Sequence, residues 1–204
     1  MNNKSKALSN SKNDRDIVII RHGATADEHT AMGGWSEEGL GAKGRVEAVK
    51  AARELPKDVE GIVTSDLRRA VQTAEIISKN TGVPIIARDK ELRSWKLGKY
   101  EGADPEDVEP ILEHYARELP DKPLPEGGES FREYKDRFLR GIENIQKKYK
   151  NRKIAIVTHS HGTRILRAWE AKGKPKDLSI DMENYKGRAM ENGGVEETSV
   201  KTKQ

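Results

Sequence analysis

The chain carries Arg21-His22-Gly23 directly after a short apolar run at residues 17–20. The length and β-branched content of that run predict a buried strand, so the tripeptide stands at the strand's carboxyl end. In open α/β sheets this edge is where ligands bind. A histidine held there can act as a nucleophile toward phosphorus, an arginine can bind phosphoryl oxygens, and a glycine lets the backbone come close. These residue types point to phosphoryl transfer.

Two further predicted strands end in residues with matching chemistry. The apolar run at 61–64 leads into Ser65 and Arg69, and the run at 153–158 leads into His159. A planar guanidinium can grip two phosphoryl oxygens at once, and Arg69 stands in the first turn of a predicted helix, where N–H groups add positive potential. We expect three strand ends to bring four such residues to one edge of one sheet: Arg21, His22, Arg69 and His159.

Further motifs follow in a regular order and spacing between about residue 17 and residue 169. They are Arg21-His22-Gly23-Ala24-Thr25, Leu40…Gly44…Ala48, Ser65…Arg69-Ala70…Gln72-Thr73-Ala74, Gly98…Glu101-Gly102, Gly127-Gly128-Glu129-Ser130 and Val157-Thr158-His159. In this pattern the chain resembles the histidine phosphatase superfamily, the group that contains the phosphoglycerate mutases and many small phosphatases. The resemblance implies an α/β fold and metal-independent phosphatase chemistry.

The resemblance also implies roles for individual residues. His22 is the expected nucleophile, which attacks phosphorus and forms a phosphohistidine that water then hydrolyses. Attack requires a neutral imidazole, and nearby arginines lower the pKa of a histidine by like-charge repulsion. Three residues are expected to stabilise the transferring group: Arg21, Arg69 and His159. Two more are expected to bind substrate: Thr25 and, through its backbone N–H, Ser160.

Two histidines compete for the second histidine role. His159 directly follows the predicted strand and precedes Arg164 by the spacing that the family shows, whereas His161 stands where the family has a small residue. We therefore assign His159 to phosphate binding. Alternation places both rings on one side of an extended chain, as a metal site would need, but no carboxylate pair stands beside them in the sequence. Neither a metal ion nor a cofactor is expected.

The chain departs from the family pattern at the position of the proton donor. The family has a glutamate four residues before the glycine that opens the Gly-x-x-Glu-Gly motif, and here that position holds Ser94. A serine hydroxyl cannot serve as a general acid near neutrality. Loss of a general acid typically costs about 10²–10⁴-fold on a poor leaving group, and much less on a good one. Three carboxylates are candidates to replace it: Glu28, Glu91 and Glu129.

Apolar periodicity alternates between strand-like and helix-like stretches, which predicts a three-layer α/β/α sandwich with a mostly parallel central sheet flanked by helices. The helix at 105–119 is expected to form part of a cap over the site. The predicted strands lie at 17–20, 61–64, 83–87 and 153–158, with an edge strand near Val195 to Val200. The predicted helices lie at 43–55, 67–79, 105–119, 130–150 and 162–171.

The composition fits one folded domain with a strongly solvated surface. Of 204 residues, 35% are charged and 34% are hydrophobic. The net charge of +4 is spread along the chain, so nucleic acid is not an expected partner. Cysteine is absent, which excludes disulfides and thiolate chemistry. No apolar run approaches the roughly 20 residues of a membrane span, so no membrane partner is expected.

The predicted organisation has three parts. We expect a disordered polar tail at 1–14, a histidine phosphatase domain at 15–172 and a polar C-terminal extension at 173–204. The tail has lysines but no apolar core, which is not the pattern of a signal peptide, and the expected location is cytoplasmic. The sequence predicts no oligomeric state.

The pattern as a whole indicates a phosphatase that hydrolyses phosphomonoesters or other phosphorylated small molecules. Two alternatives stay open. Ser94 in place of the acid is compatible with a catalytically weak module that binds phosphorylated ligands. A phosphoglycerate mutase must hold its substrate while the phosphoryl group returns to another oxygen, and this chain has little sequence beyond the core to close such a pocket.

Overall fold

The computed structural model describes residues 17–27, 31–187 and 189–198. Within these residues the apolar runs form one five-stranded sheet, in the order β3-β2-β4-β1-β5. The first four strands along the chain are parallel, and β5 pairs with β1 in the antiparallel direction. The strands are β1 (Ile17–Arg21), β2 (Gly61–Ser65), β3 (Ile85–Asp89), β4 (Ile154–Thr158) and β5 (Val195–Thr198). The predicted α/β fold with a mostly parallel sheet is confirmed.

Helices cover both faces of this sheet. Because side chains alternate along a strand, Val18 and Ile20 pack in one apolar core with α1 and α2, and Ile17 and Ile19 pack in a second core with α3, α4 and α5. The α-helices of the described residues are α1 (Ala42–Glu54), α2 (Arg68–Thr81), α3 (Pro105–Glu118), α4 (Phe131–Lys148), α5 (Ser160–Ala171) and α6 (Met182–Lys186), and two short 3-10 helices lie at Lys90–Leu92 and Gly98–Tyr100. None of these helices has both the length and the apolar content needed to cross a bilayer.

Local sequence explains where several helices begin and end. Ser130 and Glu133 form a reciprocal capping box at the start of α4, so two N–H groups at that helix end are satisfied. Asp104 caps α3, and Pro105 occupies its first position, where a missing N–H costs nothing. Helix α2 ends at Gly82, whose φ of 78° lies in the left-handed region that glycine adopts without strain.

Residues 173–198 contribute more structure than the sequence predicted. Helix α6 was not predicted, because five residues are too few to show a helical period. It begins at Asp181, whose side chain accepts from the N–H groups of Glu183 and Asn184. The edge strand was predicted, and it appears as β5 beside β1. The predicted tail at 1–14 and Glu28 lie outside the described residues.

Candidate active site

The register of β1 and β4 brings the two candidate histidines together. Arg21 pairs with Thr158, and the N–H of His22 donates to the carbonyl oxygen of Thr158 at 3.0 Å, so both strands end at the same level. His22 and His159 each follow one of these paired residues. Their ring centroids lie 5.0 Å apart with an interplanar angle of 61°. Both rings are buried, at 8% and 2% exposure.

The ring of His22 is held in one tautomer. Its Nδ1 atom lies 2.8 Å from the carbonyl oxygen of Gly23. A carbonyl oxygen only accepts, so Nδ1 carries the proton and Nε2 keeps its lone pair. Burial, followed by the charges of Arg69 and Arg21, holds the pKa of His22 well below its usual value. At neutral pH the ring is therefore a neutral imidazole with Nε2 able to act as a nucleophile.

The loop after β1 is fixed by close contacts to two helices. A side chain at Gly23 would collide with the carbonyl oxygen of Gly44 in α1, so glycine is required by the close approach of that helix. The N–H of Gly23 donates to Oγ1 of Thr73 at 3.1 Å, and this hydroxyl donates to the carbonyl oxygen of Arg69 at 2.8 Å. The loop that carries His22 is thus tied to α2, the helix that carries the candidate clamp.

Arg69 is a buried cation whose guanidinium is already oriented. Its Nη1 donates to the carbonyl oxygen of Ser36 at 3.0 Å, and its Nη2 donates to that of Gly34 at 2.7 Å. Burial lowers the pKa of Arg69 to about 10, and three nearby carboxylates oppose this shift: Glu38, Glu37 and Glu101. The side chain therefore stays positively charged at neutral pH.

The Gly-x-x-Glu-Gly motif holds the loop that orients this guanidinium. Oε1 of Glu101 accepts from the N–H of Trp35 at 3.1 Å, and the N–H of Gly102 donates to the carbonyl oxygen of Met32 at 2.8 Å. Gly34 has a φ of 43°, and a Cβ there would lie 2.6 Å from the Glu101 side chain. The sequence identified this motif only through the family resemblance, and its contacts depend on the fold.

The other two residues of the predicted set of four, Arg21 and His159, make hydrogen bonds to distant parts of the chain. Nη1 of Arg21 donates to the carbonyl oxygen of Met190 at 2.8 Å. Nε2 of His159 lies 2.9 Å from Oγ of Ser65. Burial, followed by the charges of Arg69 and His22, holds the pKa of His159 well below its usual value. Its Nδ1 is buried and makes no hydrogen bond to any described residue.

An open cleft lies at the carboxyl ends of β1, β2 and β4. Six residues that the sequence assigned to catalysis or substrate binding line it: Arg21, His22, Thr25, Arg69, His159 and Ser160. Ser160 is the first residue of α5, where N–H groups lack partners within the helix. No three His, Asp or Glu side chains of the described residues gather as ligands for a metal ion.

The carboxylates proposed as proton donors do not line the cleft where these residues are described. Ser94 lines the cleft, as the family position implies, and Glu91 lines a separate cavity beside Arg137. Glu129 is paired with Arg137 at 2.9 Å, and it also accepts from the N–H of Lys96 at 3.1 Å. Both Glu91 and Glu129 are therefore outside the lining of the cleft.

One carboxylate in the cleft was missed by the sequence analysis. Glu109 of α3 lines the cleft, and its Oε1 lies 4.0 Å from Nε2 of His161. The other ring nitrogen, Nδ1 of His161, lies 3.0 Å from the hydroxyl of Tyr185. Burial lowers the pKa of His161 to about 4. The only hint in the sequence was the prediction that the helix at 105–119 caps the site.

Known proteins share both the sequence pattern and the fold. A model of the histidine phosphatase superfamily (branch 1) matches residues 17–191. The metal-independent phosphoserine phosphatase of Arabidopsis thaliana is 32% identical over 151 residues, which cover 71% of this chain and 63% of that protein. The uncharacterized phosphatase PhoE of Bacillus subtilis (strain 168) is 30% identical over 171 residues, which cover 82% of this chain and 83% of that protein.

A solved structure extends the similarity to three dimensions. The mycobacterial glucosyl-3-phosphoglycerate phosphatase in complex with VO3 matches with a TM-score of 0.70 at 25% identity, over 90% of this chain and 92% of that chain. The family match covers most of the chain, and the two relatives and the solved structure reported above are named as phosphatases, whereas other relatives are named as phosphoglycerate mutase-like or as probable phosphoglycerate mutases. This chain therefore belongs to the histidine phosphatase superfamily, branch 1, and is a phosphatase.

Proposed function

We propose that this phosphatase hydrolyses phosphomonoesters, or other phosphorylated small molecules, through a phosphohistidine on Nε2 of His22. The observation that carries the proposal is the 2.8 Å contact between Nδ1 of His22 and the carbonyl oxygen of Gly23. This contact keeps Nε2 unprotonated in a cleft that also contains two arginines and two further histidines. A neutral imidazole beside fixed cations is the arrangement that attack on an anionic phosphoryl group requires.

The proposed reaction has two displacements at phosphorus. Nε2 of His22 attacks, the bond from phosphorus to the ester oxygen breaks, and the leaving group departs with a proton. Water then attacks the phosphohistidine, the P–N bond breaks, and inorganic phosphate leaves with neutral His22 restored. In each step charge on the equatorial oxygens is balanced by Arg21 and Arg69, and His159 lines the same cleft.

The names of related proteins support a small substrate. One relative is named for phosphoserine and a structural neighbour for glucosyl-3-phosphoglycerate. A substrate of that kind, a small phosphorylated metabolite, fits this chain. Metal independence, a cytoplasmic location and the lack of nucleic-acid or membrane partners stay predictions within the same proposal.

Rapid quenching after mixing with a ³²P-labelled substrate tests the proposed intermediate. We expect an acid-labile, base-stable label on the wild-type protein and none on the His22→Ala variant. An unlabelled wild-type protein that still releases phosphate would contradict the phosphohistidine. A protein that binds phosphorylated ligands but does not turn over p-nitrophenyl phosphate would instead support the binding-module alternative. With 3-phosphoglycerate, free phosphate supports the phosphatase, and 2-phosphoglycerate supports the mutase.

A further inference from the structure

We propose that Glu109, on the cap helix α3, donates the proton to the leaving-group oxygen in place of the residue that Ser94 has replaced. The inference rests on the proposed phosphohistidine mechanism and adds the residue that this mechanism lacks. It assigns the acid to a different element of the fold from the one on which the family pattern places it.

The lining of the cleft singles out Glu109. Among the described residues that line the cleft, it is the only carboxylate. Ser94 lines the same cleft, but its hydroxyl cannot release a proton near neutrality. Glu129 is held by Arg137, and Glu91 lies in a separate cavity. A proton donor must reach the leaving group, so position in the cleft is the first requirement, and Glu109 meets it.

The helix that carries Glu109 is anchored over the cleft. Pro105 and Glu109 lie one turn apart on α3, so they share a face, and both line the cleft. Val108 and Leu112 lie on the buried side and pack into the apolar core. The Asp104 cap fixes the first turn. The carboxylate is therefore presented by a packed helix and not by a mobile loop.

Glu109 is partly open to solvent and lies beside one cation and one histidine. Its side chain is 43% exposed. Its Oε2 lies 3.5 Å from Nη1 of Arg164, a cation that stabilises the carboxylate left behind after proton transfer. Its Oε1 lies 4.0 Å from Nε2 of His161, whose other nitrogen is held by Tyr185. Both side chains line the cleft.

With Glu109 in this role the proton balance of the reaction closes. As Nε2 of His22 attacks phosphorus, the ester P–O bond breaks and the protonated Glu109 gives its proton to the departing oxygen. The products are the free alcohol, the phosphohistidine and the Glu109 carboxylate. That carboxylate then takes a proton from the attacking water, and hydrolysis releases phosphate with both His22 and Glu109 in their starting states.

The test compares leaving groups in the Glu109→Gln variant, which keeps the shape of the side chain. The rate of phosphoenzyme formation in the first turnover isolates P–O cleavage from the later hydrolysis. For an alkyl phosphate, which needs the proton, we expect this rate to fall by about 10²–10⁴-fold. For p-nitrophenyl phosphate, whose leaving group departs as the anion, we expect a fall of less than about tenfold.

The control is Glu113→Gln, one turn further along α3, where the carboxylate pairs with Lys186 at 2.6 Å and does not line the cleft. We expect its rates on both substrates to stay within about threefold of wild type. An equal loss on both substrates, or an unchanged alkyl rate, in Glu109→Gln would overturn the inference. An active His22→Ala variant would instead overturn the phosphohistidine mechanism, so the two failures are distinguishable.

Discussion

Arg69 donates a hydrogen bond of 2.7 Å to the carbonyl oxygen of Gly34, so the guanidinium of this candidate clamp has a fixed orientation. A second bond, to Ser36, fixes the plane of the group. A guanidinium has five N–H donors, and these two bonds leave others for phosphoryl oxygens. Such preorganisation removes a cost from the reaction, because the charge does not have to reorient as the transition state forms.

If the loop that contains Gly34 and Ser36 orients Arg69, loosening that loop should weaken catalysis without removing the nucleophile. Glu101→Ala deletes the acceptor of the Trp35 N–H, and we expect kcat/KM to fall by about tenfold, as for the loss of one or two hydrogen bonds of about 1 kcal/mol. Kinetics with p-nitrophenyl phosphate measure the effect, and Glu75→Ala, an exposed change on α2, is the control. Unchanged kinetics for Glu101→Ala would mean that the loop is held by other contacts.

The assignment of His159 over His161 makes a separate prediction. His159 lies within ring contact of His22, whereas His161 packs against Trp95 and Tyr185. On p-nitrophenyl phosphate we expect His159→Ala to lose at least about 10²-fold in kcat and His161→Gln to stay within about tenfold. Circular dichroism shows whether each variant is folded. Comparable losses in two folded variants would show that the second histidine role belongs to both residues or to His161.

A histidine nucleophile needs no metal ion, so activity should survive chelation. We expect the same rate of p-nitrophenyl phosphate hydrolysis with and without EDTA. Vanadate should inhibit competitively, because its trigonal-bipyramidal complex resembles the transition state of phosphoryl transfer. Activity that disappears with EDTA and returns with a divalent cation would contradict the mechanism.

Restoring a glutamate at the family position should compensate for the loss of Glu109. We expect the Ser94→Glu change, introduced into the Glu109→Gln variant, to raise the alkyl phosphate rate by about tenfold or more, because a proton donor again lines the cleft. The rate on p-nitrophenyl phosphate should change little. Ser94→Ala in the same background is the matched control, and it should give no rescue. A folded double variant with no gain on the alkyl substrate would argue against donation from this position.

The buried histidines also predict how stability depends on pH. His22, His159 and His161 all have pKa values lowered in the folded state. As pH falls below about 6.5, the ordinary value of histidine, the unfolded chain binds protons that the folded protein does not. Stability is therefore fully present above about 6.5 and is lost below it, by up to about 1.4 kcal/mol per pH unit for each histidine.

Urea unfolding at several pH values between 4 and 8 measures this slope. For His161 the window extends from about 6.5 down to its folded pKa of about 4. His161→Gln removes one titrating group, so we expect its stability to fall less steeply than that of wild type in this range. If stability depends on pH in the same way in the two proteins, His161 takes up its proton equally in the folded and the unfolded state.

Local sequence was sufficient to predict most of the elements that build the site. The apolar runs that became β1, β2 and β4 were recognised, and the polar residues that follow them were expected at one edge of the sheet. That expectation follows from chain direction alone, because parallel strands end on the same side. The predicted boundaries of the elements differ from the observed ones: α5 begins at Ser160, two residues before the predicted start, because the turn after His159 is already helical.

Contacts between distant segments were decided only by the tertiary structure. The hydrogen bond from Arg21 to Met190 depends on the antiparallel docking of β5, and the support of the Arg69 loop by Glu101 depends on how two loops meet. Glu109 stands in a charged helix with no motif around it. Its place in the cleft depends on which side of α3 packs into the core and where that helix crosses the sheet edge. Residue types and their spacing thus predict the chemistry at the strand ends. Which residues from distant parts of the sequence come into contact depends on the packing of the whole chain.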